Sequence, residues 1–459
     1  MKTSIKEISN NLFDIKKASL LIIILPYIGF NFQELILSPY YSFVNLFFVL
    51  ATLLLIEFFY KLITIKFKKF STFITIIVTS FVMVFFYGYY FVNPIYNFFN
   101  LNWAIEIRGL ATILLLLIIS ICLQYFIVLK KKTNYKNLNI FLLVFGIVTL
   151  IAAHNPNSKN KINFNSFHNA YQSIHIKDLS AKPVLLIIAD EYNSPDNLYT
   201  LFKDSSLYQF STQLKKDGWE VRNNAYSYET STIHSVASIL NFNLSLNKDY
   251  KESNLAAIEY YYLNHSSLID SLYKKEVKFI NFGLFDINNN KKYTPLYIYP
   301  KNFTENFLLY SCYMFAKRQL IKFNEERLNN KEELIMEHNK RIINNITSEI
   351  DKADAKTFIK IHLYMPHAPL YYEPEFKKLE LKNINDYLQY WNFTNKKLTE
   401  MLSKLNKNKY RIILTGDHGL RGMPTNPHAT FTAFYGFDST ALKSIHSVQD
   451  LGNLINGSF

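Results

Sequence analysis

Leu414-Thr415-Gly416-Asp417-His418-Gly419 closes a short apolar run, Tyr410-Arg411-Ile412-Ile413, that reads as a buried strand. Gly416 and Gly419 bracket a sharp turn where the strand stops. An Asp and a His held side by side at such a place suit a divalent metal, because carboxylate and imidazole are both good zinc ligands. Ordinary turns also produce Asp-His-Gly, so the stretch takes its meaning from the rest of the chain.

Working outward, short apolar runs alternate with longer amphipathic ones through the second two-thirds of the sequence. Val184–Ala189, Val277–Phe282, Phe358–Leu363, Arg411–Leu414 and Phe431–Tyr435 read as strands, and segments near 206–217, 255–274, 313–352 and 384–405 read as helices. Strands separated by helices predict an α/β domain with a mainly parallel sheet flanked by helices. In such sheets chemistry gathers at the carboxyl ends of strands.

Three further stretches sit at such ends. Asp190-Glu191 follow the first strand, and two carboxylates there are costly unless solvated or bound to a cation. Glu229-Thr230-Ser231-Thr232-Ile233-His234-Ser235-Val236-Ala237-Ser238 runs a hydroxyl cluster into a helical pattern. Such a cluster is often only an N-cap, but it also sets a hydroxyl at a helix N-terminus that favours anions, where a neighbouring metal makes it a nucleophile. Ile361-His362-Leu363-Tyr364-Met365-Pro366-His367-Ala368-Pro369 supplies two histidines after another strand, in a loop stiffened by prolines. His428, just before a final strand, is a weaker candidate. His154, His168, His175, His265, His338 and His446 have no comparable setting.

The chain has 459 residues, 49% hydrophobic and 16% aromatic, and its composition averages two unlike parts. Residues 18–153 are largely apolar, whereas residues 154–459 are of ordinary globular composition. Five apolar runs, at about 18–37, 41–60, 71–93, 107–129 and 138–153, approach the roughly 20 residues that span a bilayer as a helix. No small-residue cleavage site follows the first run, so it reads as a span and not as a cleavable signal peptide.

Basic residues fix an orientation. Lys2, Lys6, Lys16 and Lys17 precede the first run, Lys61, Lys66, Lys68 and Lys69 stand between the second and third, and Lys130, Lys131, Lys132 and Lys136 between the fourth and fifth. The other two connections contain no lysine. This alternation places the N-terminus in the cytoplasm and everything after about residue 153 outside. Glu57, Glu106 and Arg108 fall within or beside the runs, where pairing and snorkelling are the ordinary explanation. The sharper one puts Glu106 and Arg108 at a lipid headgroup.

The net charge of +14 does not point to nucleic acid, because residues 1–153 hold 13 Lys/Arg against 5 Asp/Glu in clusters beside apolar runs, leaving 37 against 31 downstream. Two cysteines, Cys122 and Cys312, exclude a disulfide framework and a four-cysteine zinc site. The expected organisation is a five-span membrane domain over 1–153, a linker over 154–182 that lies on the membrane surface, and a catalytic α/β domain over 183–459.

Taken in this order, strand-Asp-Glu, hydroxyl at a helix start, His-rich loop and strand-Asp-His-Gly resemble the alkaline phosphatase/sulfatase superfamily. The resemblance is greatest to its five-span membrane members, the lipid A phosphoethanolamine transferases and lipoteichoic acid synthases, and it covers nearly the whole chain. It implies a catalytic Zn²⁺ or Mn²⁺ held by Glu191, Thr232, Asp417 and His418, with Asp190 a companion carboxylate. The family's Thr-x-x-Ser-Val pattern falls on Thr232-Ile233-His234-Ser235-Val236, which selects Thr232 as nucleophile with Thr230 and Ser231 in reserve. His362 and His367 match the histidine loop that contacts the phosphate group, and His428 falls near a further active-site histidine. A second ion would need His362, His367 and His428 as ligands, and no carboxylate is in view to complete its site.

The chain also departs from that pattern. Sulfatases carry Cys or Ser in C/S-x-P-x-R for conversion to formylglycine, and here Thr232, His234 and Val236 occupy those places. The disulfides usual in phosphoethanolamine transferases are missing, and only 41 residues follow His418. What the resemblance implies is a transferase in the inner membrane of a bacterium, moving phosphoethanolamine from a phospholipid to lipid A or an envelope glycan. The alternatives are a sulfatase-like phosphodiesterase or sulfuric ester hydrolase of envelope glycans, and a sulfatase-like binding module without catalysis.

Overall fold

The computed structural model describes residues 19–36, 43–99, 105–125, 136–153, 182–242, 260–291, 308, 311, 331–368, 370–372, 377–379 and 383–459. The expected linker therefore lies outside the described residues except for Lys182. The chain divides into two compact units, Met1–Ile162 with Pro300–Arg327 and Asn163–Tyr299 with Leu328–Phe459.

The first unit contains α1 (Leu20–Ile36), α2 (Phe43–Lys66), α3 (Ser71–Phe99), α4 (Ile105–Tyr125) and α5 (Lys136–Ala153). Among the described residues two stretches, Val44–Lys66 and Lys68–Tyr87, are long and apolar enough to cross a membrane, and three shorter apolar ones are Leu20–Gly29, Leu115–Tyr125 and Asn139–Val148. Phe47, Phe48, Phe73, Phe81 and Phe141 are exposed, which an aqueous surface would not favour over so large an apolar area. Glu57 is fully buried on α2, where its Oε2 accepts from the backbone N–H of Leu20 at 2.7 Å and its Oε1 lies 3.6 Å from Lys61 Nζ. It thereby caps α1, whose first N–H groups lack intrahelical partners. The side chains of Glu106 and Arg108 lie outside the described residues.

The second unit is built on a six-stranded sheet: β1 (Val184–Ala189), β2 (Glu220–Tyr226), β3 (Lys278–Phe282), β4 (Thr357–Leu363), β7 (Arg411–Gly416) and β8 (Ala429–Tyr435), in the order β2-β8-β7-β1-β4-β3. A separate two-stranded ribbon pairs β5 (Leu370–Tyr372) with β6 (Lys377–Leu379). β1 runs parallel to β4 and β7, and β3 runs parallel to β4, whereas β8 is antiparallel to both β7 and β2. The sheet is thus mixed where a mainly parallel one was expected. The difference comes from β8, which returns antiparallel to β7, while β2, an edge strand whose residues EVRNNAY are half-exposed and show no apolar run, pairs antiparallel with β8 and so runs with the other four.

Central β1 is buried at all six positions, which is why it reads as a continuous apolar run. Val184, Leu186 and Ile188 face one core, shared with α8 (Thr232–Ile239), α9 (Ser267–Lys274) and the C-terminal α12 (Leu451–Gly457). Leu185, Ile187 and Ala189 face the other, filled by α6 (Pro195–Phe202), α7 (Gln209–Lys216), α10 (Lys331–Ile350) and α11 (Ile384–Ser403). The register places Ala189 opposite both Leu363 and Gly416. Three carboxyl ends are therefore level, and the residues just beyond them converge.

Candidate metal centre and active site

Asp190 and Asp417 are those next residues on β1 and β7, and both are fully buried. Glu191 follows with φ +58°, a conformation that turns the chain sharply away from the strand direction. The turn is held from α11: Tyr387 OH donates to Glu191 O at 2.7 Å and accepts from Asn193 N at 2.9 Å, and Trp391 Nε1 donates to Asn193 O. Asp417 Oδ1 accepts from the backbone N–H of Glu191 at 3.0 Å and of His418 at 2.9 Å. His418 Nδ1 donates to Gly419 O at 2.8 Å, which leaves Nε2 as the nitrogen available to a ligand.

Asp190, Asp417 and His418 offer ligand atoms that all lie within 4.8 Å of one another. Thr232, the first residue of α8, joins them: its Oγ1 donates to Asp190 Oδ1 at 3.0 Å and lies 3.4 Å from His418 Nε2. Asp190 Oδ2 and Asp417 Oδ2 are buried without a hydrogen-bond partner among the described residues. Burial, with the charges of Asp417 and Glu191 behind it, holds the Asp190 carboxyl well above the usual carboxylate range. Two orphaned carboxylate oxygens, an imidazole lone pair and a hydroxyl fit a divalent cation, which satisfies the oxygens and relieves the repulsion.

Glu191 stands at the edge of this group. Its Oε1 accepts from Arg421 Nε at 2.8 Å, and its Oε2 lies 3.8 Å from His367 Nε2. His362 sits deeper, on β4 one pair before the strand's end, with Nε2 3.9 Å from Asp190 Oδ2. Burial drives its pKa well below that of an ordinary histidine, so the ring is neutral. His367 is nearer the surface, and burial lowers its pKa in spite of Glu191. His428 is not drawn into the cluster. It stacks on Tyr226, and its Nδ1 donates to Ser227 O at 2.8 Å, beside the loop that leads into Thr232. Thr230 and Ser231 lie on that loop, and Ser231 is the N-cap of α8 without a side-chain cap bond.

Four residues were not singled out from sequence. Arg421 comes from the irregular loop after β7. Gln449 is fully buried in the C-terminal segment and donates to Ser227 Oγ at 3.0 Å and Ser235 Oγ at 3.2 Å. His338, read as ordinary, is buried on α10 and donates through Nε2 to His362 O at 2.7 Å. Lys360 is fully buried two residues before His362, with no partner for Nζ among the described residues. A lysine inside a strand that reads as apolar was the one visible signal.

The family model described as Sulfatase matches residues 182–439, more than half of the chain. The chain belongs to the sulfatase family. No curated protein matches it. Among solved structures this sulfatase-family chain is similar to the integral membrane lipooligosaccharide phosphoethanolamine transferase A (EptA) of Neisseria meningitidis, at 14% identity over 96% of this chain and 95% of that one, with a TM-score of 0.38. It is also similar to the C-terminal periplasmic domain of phosphoethanolamine transferase EptC of Campylobacter jejuni, at 18% identity over 62% of this chain and 89% of that one, with a TM-score of 0.34.

Proposed function

We propose that this sulfatase-family chain is a metal-dependent membrane phosphotransferase acting through a phospho-threonine at Thr232. It moves phosphoethanolamine, or a related phospho-substituent, from a phospholipid to an envelope glycan or lipid A. Residues 1–153 form five spans, 154–182 the linker and 183–459 the catalytic domain, outside the cytoplasm at a bacterial inner membrane. Five helices that overlap the five apolar runs, and the alternation of lysine-rich with lysine-free connections, support that topology.

The observation that carries the reading is the position of Thr232, whose Oγ1 is 3.0 Å from Asp190 Oδ1 and 3.4 Å from His418 Nε2. A threonine cannot be converted to formylglycine, so the hydroxyl itself is the attacking group. Asp190, Asp417 and His418, with Thr232 and Glu191 as further ligands, would hold a divalent cation, which when bound would lower the pKa of a ligated hydroxyl and offset charge on phosphoryl oxygens. The mixed oxygen and nitrogen donors fit Zn²⁺, with Mn²⁺ as the alternative.

Asp190 Oδ1 already receives the hydrogen bond of Thr232 and takes its proton as Oγ1 attacks phosphorus. The bond from phosphorus to the glyceride oxygen breaks, and diacylglycerol leaves with a proton from the imidazolium form of His367, which the Glu191 carboxylate 3.8 Å from its Nε2 favours. His362, held neutral, donates or accepts one hydrogen bond beneath the transferred group, and His428 borders the acceptor side. An acceptor hydroxyl then gives its proton to His367 and attacks phosphorus, and Thr232 recovers its proton from Asp190.

Intact mass of the full chain in detergent, after incubation with zinc and phosphatidylethanolamine, tests this. The expected result is a phosphoethanolamine-sized adduct, absent from Thr232→Ala. An adduct lost to water as fast as to any acceptor moves the reading to the phosphodiesterase alternative. No adduct with zinc bound rejects this donor, and no adduct without zinc leaves the binding-module alternative.

A further inference from the structure

Arg421 is an arginine that the structure hydrogen-bonds to a carboxylate of the site. It meets Glu191 through Nε alone, at 2.8 Å. Glu191 is 6% exposed, whereas the Arg421 side chain is 43% exposed and His367, 3.8 Å from the other Glu191 oxygen, is 20% exposed. The carboxylate is thus a floor between two side chains that rise toward solvent. An arginine that serves only to hold a carboxylate commonly uses two parallel N–H bonds. Here a single Nε bond fixes the side chain, and the Nη groups, which carry four of the five guanidinium donors, make no hydrogen bond among the described residues.

We infer that Arg421 binds the non-bridging oxygens of the substrate's phosphoryl group through its Nη groups, with Glu191 as the anchor that aims it. The inference deepens the reading of Thr232 as a phosphoryl acceptor and rests on it for the ligand's identity. Tetrahedral oxyanions match the planar guanidinium fork, and the charge stays on at every working pH. Glu191 follows Asp190 of the Thr232, Asp190, Asp417 and His418 cluster directly, and its two oxygens meet Arg421 and His367, so both side chains border that cluster. A phosphoryl group between them has one oxygen toward the cluster and others toward the fork, which orients phosphorus for attack.

The probe is inorganic phosphate, titrated calorimetrically into the full zinc-loaded chain in detergent, with zinc content measured on the same samples. Arg421→Gln is expected to weaken phosphate binding by about tenfold or more while retaining zinc. Arg421→Lys keeps the charge but loses the fork and is expected to fall between the two. The inference is overturned if wild type does not bind phosphate, or if Arg421→Gln binds it within twofold of wild type. It is equally overturned if Arg421→Gln loses zinc together with phosphate, because Arg421 then acts only by holding Glu191. Should Arg421→Gln not fold, binding by Arg421→Lys equal to wild type rejects the fork. Phosphate binding that depends on Arg421 in a protein that never forms the Thr232 adduct rejects the transfer reading and leaves this one standing.

Discussion

Ser235 and Gln449 are 214 positions apart, yet Gln449 Nε2 donates to Ser235 Oγ at 3.2 Å. Ser235 Oγ in turn donates to Asp417 O at 2.8 Å, one turn of α8 beyond Thr232. Gln449 also donates to Ser227 Oγ and accepts from Tyr228 N at 3.0 Å. One buried amide therefore ties the loop before Thr232, the helix that bears it, and the strand end that carries Asp417.

From this tie follows a positioning role. Gln449→Met keeps the volume and removes all three bonds. Formation of the Thr232 adduct is expected to slow by about 10- to 100-fold, since small displacements of a nucleophile are felt at that scale. Zinc content and the donor concentration for half-maximal rate should be unchanged. A wild-type rate in a folded Gln449→Met protein would show that the tie does not set the nucleophile.

Asp190 gives a prediction with opposite signs in two conditions. Its carboxyl is held above the usual 3.8 in the fold, so in the metal-free protein the folded state binds a proton that the unfolded chain releases. Stability then falls as pH rises from about that value through the folded pKa. Asp190→Asn is expected to be more stable than wild type at neutral pH when both are treated with chelator. With zinc added the order should reverse, because only wild type gains binding free energy. Thermal unfolding with and without chelator measures both. The same sign in both conditions would remove Asp190 from the metal set.

Lys360 behaves in the reverse sense. Burial lowers its pKa from 10.5 to about 7, against the pull of Asp417 and Asp190. Between those pH values the unfolded chain holds a proton that the folded protein has lost, so stability rises with pH. Subtracting the profile of Lys360→Met, which carries no such group, isolates the effect. The variant should be the more stable at pH 7, and its advantage should shrink by up to about 1.4 kcal/mol per pH unit toward pH 10. Parallel profiles would mean that Lys360 keeps its charge in the fold up to the ordinary lysine range, paired there with Asp417 or Asp190.

The strands β1, β4, β7 and β8 were legible because they are buried on both faces and so read as apolar runs. β2 was not, since an exposed edge strand of mixed polarity has no such pattern. Asp417 and His418 were legible as candidates from their place at a strand end, and Thr232 from the likeness of Thr232-Ile233-His234-Ser235-Val236 to a family pattern, since the helix start alone left Thr230 and Ser231 open. How Asp190 and Glu191 differ was not, because adjacent carboxylates look alike until the positive φ at Glu191 sets its oxygens against Arg421 and His367 at the edge of the cluster. Arg421 and Gln449 act through contacts that only the tertiary fold creates, and neither lies in a periodic segment.

Gly416 links the strand to the site and allows a test of that link. A Cβ there would lie 2.2 Å from Thr430 Oγ1 and 2.8 Å from the carbonyl oxygen of Tyr192. Thr430 Oγ1 donates to that same carbonyl at 2.7 Å, so the added methyl would push on the turn that carries Asp190 and Glu191. Gly416→Ala is expected to destabilise by roughly 1–3 kcal/mol, as overpacking does, and to weaken zinc binding. Gly422 is the control: a Cβ there meets nothing within 4 Å, and only its φ of +71° is unfavourable. Gly422→Ala should therefore lose about 1–2 kcal/mol of stability with zinc affinity intact. Adding Thr430→Ala to Gly416→Ala removes the nearer clash but not the carbonyl, so zinc affinity should recover only in part. Full recovery would place the strain in the Thr430 side chain alone, and unchanged zinc binding in Gly416→Ala would separate the strand end from the metal centre.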